Sequence, residues 1–501
     1  MRDRTAQVRG ISLHEVLPEA ELIGAGELRV TSCCADSRVC RPGDLFVAMA
    51  GERADGHAHL REAIERGAAA VLTDRPLPAD CLVPACYAAD VREAYGKVCQ
   101  ALAGHPGRRL RVIGITGTNG KTTTSYLTAS VLAAAGFRSG ILGTLGYFDG
   151  DEFETAQWTT PPAPVLATWL GRMSANGCTH AVMEVSSHAL SQSRVAGVDF
   201  DVACITNVRH DHLDYHGTAR QYHAAKARLL DHLLPEGFAV VNIDDPVAAG
   251  MLAKVDGPVF SIAIDGAAEV TAAPLEQFPS EQTFLLSVEH ETVPVRTPLI
   301  GRHNIYNCLM ASAVGLAYGI DLATIVRGLE SLQSLPGRLE RLECGQPFSV
   351  FVDYAHTPDA LTGALETLRP LTAGRIICVF GAGGERDVFK RPQMGRAVES
   401  GADLAVLTND NPRSEPPRQI MQHVLGGFCH ASGVQVIADR AEAIRWALSQ
   451  ARTGDSVLIA GKGHERFQII ENQQFEFDDR DVARQWLYES PAVDELYRAS
   501  A

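Results

Sequence analysis

The sequence predicts an α/β fold of three domains: a central domain with a P-loop and a doubly wound, mostly parallel sheet, flanked by a small N-terminal α/β domain and a C-terminal Rossmann-like α/β domain. Three observations carry this. At 501 residues the chain is too long for one core and should divide into roughly three units of ordinary size. From Leu110 onward, short apolar, β-branched runs alternate with helical patterns, the signature of parallel strands joined by crossover helices. At the head of that alternation the run Leu110–Ile115 leads into Gly117-Thr118-Asn119-Gly120-Lys121-Thr122-Thr123, then into a helical pattern closing at Gly136. The expected domain spans are 1–89, 90–335 and 336–501.

In the first domain Asp44–Met49 reads as a strand, His57–Gly67 as a helix and Ala69–Thr73 as a strand. Pro76, Pro78 and Pro84 mark a loop, and Asp90 is a fair N-cap for a helix running to Ala103 before His105-Pro106-Gly107. Pattern alone leaves open which domain that helix packs on. In the central domain Gly140–Leu145, His180–Val185 and Val202–Thr206 are further strands with helices between them. Residues 258–300 alternate with period two, as in Thr283-Phe284-Leu285-Leu286-Ser287-Val288, predicting a small antiparallel excursion before a helix at Asn304–Tyr318. Leu335-Pro336-Gly337-Arg338 marks the second boundary. Beyond it Val350–Asp353, Ile376–Phe380, Leu404–Thr408, Gln435–Ile437 and Val457–Ala460 read as strands with helices in the gaps, and the residues after Pro491 are expected to fray.

Composition narrows the function. Hydrophobic residues make up 46% and charged residues 21%, as in a globular protein, and the formal charge of -15 argues against a nucleic-acid partner, whose phosphates would be repelled. No stretch approaches the roughly 20 apolar residues of a membrane span, and Met1-Arg2-Asp3-Arg4 leads into no signal-like apolar core, so a cytoplasmic protein without membrane insertion is expected. Twelve cysteines are scattered, Cys33 and Cys34 adjacent and none in a C-x-x-C pair. That spacing suits buried thiols in a reducing compartment better than disulfides or a zinc site.

The stretch from Gly117 to Thr123 reads as a phosphate loop. Its glycines let backbone N–H groups approach phosphate oxygens, and the following helix adds its positive N-terminal end. Lys121 would sit on the β/γ-phosphates and Thr122 would offer its hydroxyl to Mg2+. The strict spacing G-x-x-x-x-G-K-[ST] fails, because Ile115 stands where the first glycine belongs. Chance similarity and a variant loop both remain open on spacing alone; the preceding strand pattern and the following helix favour the variant. Doubly wound sheets bind ligands at the carboxyl ends of their strands, and the residues there are polar: Thr159-Thr160-Pro161, Glu184-Val185-Ser186-Ser187-His188, and Thr206-Asn207 leading to Asp211-His212-Leu213-Asp214. Glu184 and His212 are of ligand type for a divalent cation near the phosphates. Singly, a strand-end glutamate is usually solvated and a loop histidine usually satisfies a local hydrogen bond.

The loop, the Glu184–His188 run, Asp211-His212-Leu213-Asp214-Tyr215-His216-Gly217 and Tyr222-His223-Ala224-Ala225-Lys226 together resemble the Mur ligases, three-domain cytoplasmic enzymes that join an amino acid to a UDP-N-acetylmuramoyl carrier with ATP. The resemblance continues through Gly301-Arg302-His303-Asn304, Pro336-Gly337-Arg338 and Asp353-Tyr354-Ala355-His356-Thr357-Pro358-Asp359, in order along nearly the whole chain. It implies that Gly117, Thr118, Asn119, Gly120, Lys121, Thr122 and Thr123 hold the ATP phosphates, and that Asn304, Arg338 and Asp353 hold its adenine, phosphate and ribose parts. It implies Lys121, Glu184, His212 and Lys226 as catalytic residues, with Thr122, Glu184, His212 and Lys226 around Mg2+. Lys226 aligns with a lysine that the family carries as a carbamate (N6-carboxylysine). An ammonium beside Mg2+ would be repelled, whereas reaction with CO2 makes the side chain an anionic ligand. Without this context a solvated helix lysine would be the default reading. The implied reaction makes an acyl phosphate on a carboxylate, which an amine then attacks; closure of two domains on ATP would exclude water.

The resemblance also bears on carrier and amine. Asp36-Ser37-Arg38 before Pro42-Gly43-Asp44-Leu45 is similar to the uridine-diphosphate pocket of the branch that adds the third residue, with Ser37, Glu52, Arg53 and Ala54 as implied contacts. Thr159, Thr160, Ser186, Gln192 and Arg194 align with contacts to UDP-N-acetylmuramoyl-L-alanyl-D-glutamate. Trp158 departs from the pattern, standing where relatives place a small polar residue. Asp410-Asn411-Pro412-Arg413 resembles the signature of meso-diaminopimelate addition, and Arg413 is a planar fork suited to that amino acid's second carboxylate. Arg386, Gly461 and Glu465 align with the remaining contacts. By itself Asp-Asn-Pro is turn-forming, and a plain turn is the alternative. Three other functions stay open: a lysine-adding ligase of the same family, a folylpolyglutamate-type ligase, and a nucleotide-binding regulator that makes no bond. A monomer is expected.

Overall fold

The computed structural model describes residues 10–51, 54–78, 81–471 and 473–489. Glu52 and Arg53, two of the implied carrier contacts, and the stretch after Pro491 lie outside the described residues.

Alternating apolar residues on Arg111–Thr116 explain why the central sheet needs helices on both sides. Val112 enters one apolar core, Ile113 and Ile115 the other, so the strand is buried on both faces as a parallel strand requires. Around it the sheet runs Ser139–Leu142, His180–Glu184, Arg111–Thr116, Phe200–Ile205, Leu233–Asn242, Val259–Ala263 and Val270–Phe278, all parallel to their neighbours. Antiparallel pairs finish both edges: Tyr147–Phe148 and Phe153–Glu154 at one, Glu281–Val288 and Glu291–Thr297 at the other. The excursion expected from period two is thus a meander continuing the same 11-stranded sheet. Arg302–Ala317 and Leu322–Ser331 pack on the helix Lys121–Ala134 that follows the loop.

The N-terminal sheet has five strands, with Cys33–Cys34, Leu45–Ala48, Ala70–Thr73 and Ala85–Tyr87 parallel and Glu21–Ile23 antiparallel at the edge. Asp90 caps the helix Val91–Leu102 by accepting from the Arg92 and Glu93 amides. The buried side of this helix, Val91, Ala94, Tyr95, Val98 and Cys99, joins the core formed by Leu45, Val47, Ala70 and Leu72, while Ala163 and Ala167 of the central domain reach the same core. Its packing is shared between the strands Leu45–Ala48 and Ala70–Thr73 of the first sheet and the central-domain helix Ala163–Ala175, so it lies across the boundary that the sequence reading set before residue 90.

The C-terminal domain is a six-stranded sheet ordered Glu340–Arg341, Ser349–Asp353, Ser456–Ala460, Ile376–Phe380, Leu404–Leu407 and Gln435–Val436, antiparallel only at the first pair. The hairpin Phe467–Ile470 and Gln473–Glu476 lies apart, bridged to Arg413. Among the described residues no helix is long and apolar enough to cross a membrane.

Candidate active site

The loop after Arg111–Thr116 is held from the neighbouring strand end. Thr118 N donates to Asn207 O at 2.8 Å, Asn119 N to Asn207 Oδ1 at 2.9 Å, and Thr206 Oγ1 to Asn119 O at 2.6 Å. Two glycines are required by this closeness: a Cβ at Gly117 would strike Thr206 Oγ1, and one at Gly120 (φ +87°) would strike Asn307 Oδ1. Thr122 and Thr123 are buried in the first turn of the helix, where unpaired N–H groups face the loop. Lys121 Nζ donates to Gly117 O at 2.9 Å and Thr118 O at 3.0 Å, folding back over the loop. Burial pulls its pKa down, with the nearby Glu184 and Asp211 charges acting against that.

Glu184, at the end of its strand, is fully buried and accepts three bonds: Thr122 Oγ1 at 3.0 Å, Thr144 N at 2.7 Å and Thr144 Oγ1 at 3.0 Å. A buried carboxylate so supplied stays a hard, fixed oxygen ligand. His212 takes the left-handed backbone (φ 53°), with its Nε2 at 3.3 Å from Asp211 Oδ2 and its ring 4.7 Å from that of His188. Burial pulls its pKa down while the Asp211 carboxylate pulls it up, and the net lowering favours the neutral imidazole, the form that binds metals. Lys226 is 2% exposed on the helix Ala219–Ala227, packs over the Tyr222 ring and donates to Gly117 O at 2.7 Å. Burial, reinforced by Lys121, pushes its pKa well below the usual lysine range. The residues thus bring a hydroxyl, a carboxylate, a neutral imidazole and an amine poised toward its neutral form to one loop. Such a set fits a divalent cation once the amine carries a carboxyl group.

The C-terminal domain reaches this cluster. Arg338 NH2 donates to Thr122 Oγ1 at 2.9 Å, and its guanidinium lies 5.0 Å over the Tyr354 ring. Asp353 accepts from Leu339 N at 2.6 Å and Ala355 N at 2.8 Å, and burial raises its pKa. His210 Nε2 and Asp387 Oδ2 approach to 3.8 Å across the same cleft. Asn304 is buried at the start of Arg302–Ala317, donating to Ile300 O at 2.8 Å and accepting from Asn307 Nδ2 at 2.9 Å. Asn307 in turn accepts from Thr124 Oγ1 at 3.2 Å, linking Asn304 to the loop helix.

The implied carrier residues form two groups. Thr160 Oγ1 donates to Glu184 O at 2.8 Å and accepts from Ser186 N at 2.9 Å; Arg194 NH1 donates to Thr160 O at 2.8 Å and its NH2 to Gln192 Oε1 at 2.8 Å. Thr159 Oγ1 is 3.1 Å from Thr144 Oγ1, which joins this group to the Glu184 carboxylate. Trp158 is 41% exposed, its carbonyl taken by Tyr147 OH at 2.6 Å, so the indole is left as a surface platform. In the N-terminal domain Ser37 Oγ donates to Glu62 Oε2 at 2.7 Å, and Ala54 O accepts from Gly51 N at 2.8 Å.

The amine-site residues gather around the hairpin. Asn411 Nδ2 donates to Glu465 Oε2 at 2.8 Å, and Lys462 Nζ donates to both Asn411 Oδ1 (3.0 Å) and Glu465 Oε2 (3.1 Å). Asp410 Oδ1 accepts from Asn411 N at 2.6 Å, and a Cβ at Gly461 (φ +116°) would press on Asp410 Oδ2. Arg413 is left-handed (φ 55°), tied by its amide to Ile469 O at 3.1 Å and by NH1 to Gly384 O at 2.7 Å. Arg386 and Arg413 flank Gly383, while Pro412 lies against Gly384. Burial, then Arg386, pulls the Arg413 pKa down, and burial raises that of Glu465. Arg386 disfavours the Arg413 charge while Asp410, Glu465 and Glu385 favour it, and an anionic ligand beside both arginines would relieve their mutual repulsion.

Sequence reading missed several supports. Thr144 and Asn307 belong to no motif and act through geometry, while Asn207 stood in the strand-end run Thr206-Asn207 but was given no role. Lys462 sits beside Gly461 and Glu465 in sequence, and its burial and its bonds to Asn411 and Glu465 mark its role only in the structure. Arg440 and Asp479 form a fully buried pair at 2.7 Å that anchors Ala460 O, just before Gly461.

Comparison with known proteins bears directly on this arrangement. Residues 115–315 match the Mur ligase middle domain, 337–463 the glutamate ligase domain of Mur ligases, and 29–102 the Mur ligase family catalytic domain. A UDP-N-acetylmuramoyl-L-alanyl-D-glutamate--2,6-diaminopimelate ligase of Geobacillus thermodenitrificans is 45% identical over 457 residues, covering 90% of this chain and 93% of that protein. A solved structure of a ligase of the same description superposes with a TM-score of 0.68 at 32% identity, covering 96% of this chain and 99% of that one. The folylpolyglutamate synthase of Mycobacterium tuberculosis, complexed with ADP and AMPPCP, shares the fold at a TM-score of 0.59 and 20% identity over 74% of this chain and 92% of its own. With its three matched segments in order and its relatives matched over nearly their whole length, the chain belongs to the Mur ligase family.

Proposed function

We propose that this chain is an ATP-dependent ligase that adds meso-diaminopimelate to UDP-N-acetylmuramoyl-L-alanyl-D-glutamate in peptidoglycan precursor synthesis, acting in the cytoplasm as a monomer. The observation that carries it is the convergence on Thr122 of Glu184 from its own domain and Arg338 from the next, at 3.0 and 2.9 Å. A regulator that only binds nucleotide has no need of a carboxylate, an imidazole and a buried lysine beside the loop.

In this reading Gly117 to Thr123 cradle the ATP phosphates, and Lys121 swings from the loop carbonyls onto the β/γ-phosphates. Asn304 and Asp353 take the adenine and ribose ends, while Arg338 meets phosphate charge from the opposite domain. Thr122, Glu184, His212 and carboxylated Lys226 would hold Mg2+, which when bound supplies charge neutralisation during phosphoryl transfer. Thr159, Thr160, Ser186, Gln192 and Arg194 place the carrier's terminal carboxylate at the phosphoryl donor, and Ser37, Glu52, Arg53 and Ala54 hold its uridine-diphosphate end. The carboxylate takes the phosphoryl group and becomes an acyl phosphate; the amine attacks its carbonyl and phosphate leaves. No side chain acts as nucleophile. Arg386 and Arg413 clamp the distal carboxylate of diaminopimelate, with Asp410, Asn411, Pro412 and Gly461 shaping the site and Glu465 facing the ammonium.

The test is ADP release with the carrier plus diaminopimelate, lysine, ornithine or no amine. Turnover is expected only with diaminopimelate. Turnover only with lysine would overturn the amine assignment, and turnover independent of carrier would support a regulator.

A further inference from the structure

The N-terminal domain holds a second cluster of ligand-type side chains that plays no part in the proposed chemistry. Cys34 Sγ, Cys40 Sγ and a carboxylate oxygen of Asp44 lie within 4.8 Å of one another. Cys34 ends the strand Cys33–Cys34, Cys40 follows the turn Ser37–Val39, and Asp44 precedes Leu45–Ala48. Their spacing matches no short zinc pattern; the parallel pairing of the two strands, Cys34 opposite Phe46, is what folds the ten-residue connection back on itself. Cys40 and Asp44 are 7% and 6% exposed, and Cys34 is half-buried, over a floor of Phe46, Ala48, Leu60, Ala63 and Val71. Asp44 accepts from the Ser32 hydroxyl and from Arg41 N at 2.8 Å, and among the described residues no cationic side chain pairs with it. A buried carboxylate without a counter-charge, facing two thiols across an apolar floor, is an incomplete arrangement.

We propose that Cys34, Cys40 and Asp44 bind a borderline-soft divalent cation of the zinc class, leaving a fourth position open on the half-buried side of Cys34. Two sulfurs with one carboxylate oxygen are a donor set such a cation takes, whereas Mg2+ takes the carboxylate but not the sulfurs. Tetrahedral bonds of about 2.3 Å to sulfur and 2.0 Å to oxygen place donors about 3.5–3.8 Å apart, so side-chain movements of about 1 Å close the site. Both S–H bonds break on binding, two metal–sulfur bonds form, and the protons pass to solvent. Outer support exists already: Ser32 orients one oxygen of Asp44, as partners of metal ligands do. Occupancy ties together the two ends of the segment that carries Ser37. Coupling to the carrier rests on the proposed function, whereas metal binding does not.

The experiment is a Cd2+ titration of the full-length protein with excess Mg2+ and no carrier, read by the thiolate-to-metal charge-transfer absorbance, followed by thermal unfolding with and without Zn2+. We expect one equivalent to saturate the band in the parent protein and Zn2+ to raise the unfolding midpoint. Cys34→Ser and Cys40→Ser should each abolish both, and Asp44→Asn should weaken binding about tenfold or more while keeping the band. Cys33→Ser, removing a thiol 3.9 Å from Cys99 on the opposite face of the strand, should change neither. No band in the parent protein, or a one-equivalent band surviving in Cys34→Ser, would overturn the site. If Cys40→Ser does not fold, half-buried Cys34 decides. Because carrier is absent, failure here leaves the ligase reading standing, and failure of that reading leaves the titration valid.

Discussion

Arg413→Ala tests the amine assignment most directly, and its size follows from the side chain's surroundings. NH1 is spent on Gly384 O at 2.7 Å and approaches Asn411 O at 3.4 Å, which fixes the guanidinium and leaves its other edge for a ligand carboxylate. Truncating one member of a buried hydrogen-bonded charge pair costs about 2–5 kcal/mol; Arg413 is only half-buried, which places the cost in the lower part of that range, about 2–3.5 kcal/mol. At 1.36 kcal/mol per decade, kcat/KM for diaminopimelate should fall about 30- to 400-fold. Lysine has no second carboxylate, so any residual activity with it should fall far less and the ratio between the two amines should narrow. Stability should barely change, because the arginine's own partners are backbone carbonyls and its burial already disfavours the charge. The assay is steady-state ADP release with each amine at saturating carrier and ATP, beside a thermal melt. Equal losses for both amines would show a general disturbance of the loop, and an unchanged diaminopimelate rate would refute the clamp.

Further outcomes follow from the same geometry. Glu184→Gln keeps the shape but sets an amide NH2 against donors that now supply a carboxylate; activity should fall by about a hundred- to a thousandfold, as when a charge-stabilising group is lost, and the Mg2+ dependence should shift to higher concentration. Lys226→Met removes a buried side chain whose free amine, in protein depleted of CO2, has a folded-state pKa below its unfolded one. The native state then binds fewer protons than the unfolded chain across that window, so the parent's stability should rise with pH through it while the variant's curve is flatter, read by chemical denaturation from neutral to alkaline pH. The same variant should be inactive, and in the parent, depletion of CO2 should lower activity that bicarbonate restores; indifference to CO2 would count against the carbamate. His180, 4% exposed, is held down to about 4 by burial, so the folded state resists protonation and stability should drop as pH falls from about 6.5 toward 4, by up to about 3 kcal/mol. His180→Phe should lose that acid-dependent part, and an identical pH–stability curve would refute it.

Legibility differed between parts of the molecule for physical reasons. Strands buried on both faces, such as Arg111–Thr116 and Ile376–Phe380, announce themselves as short apolar β-branched runs, and the period-two stretch before Arg302–Ala317 was equally plain. Two-residue edge strands such as Tyr147–Phe148 and Phe153–Glu154 carry too little pattern to be seen. The helix Val91–Leu102 was legible as a helix with its cap, but not by its packing, because an amphipathic face does not say which core it meets.

For the candidate site, the sequence by itself determined the types of chemistry: a glycine-rich loop ahead of a helix, ligand-type residues at strand ends, and an arginine in a turn-forming tetrapeptide. Local order is enough for that, since each group is fixed by its place at the end of one strand. Tertiary structure alone decided which groups meet. Arg338 and Thr122, 216 residues apart, form a hydrogen bond, Asn207 pins a loop 88 residues earlier, and Cys34, Cys40 and Asp44 converge with no motif between them. Those meetings depend on the order of strands in a sheet and on the packing of one domain against another, and both are set by the burial of whole faces, which no single stretch of sequence contains.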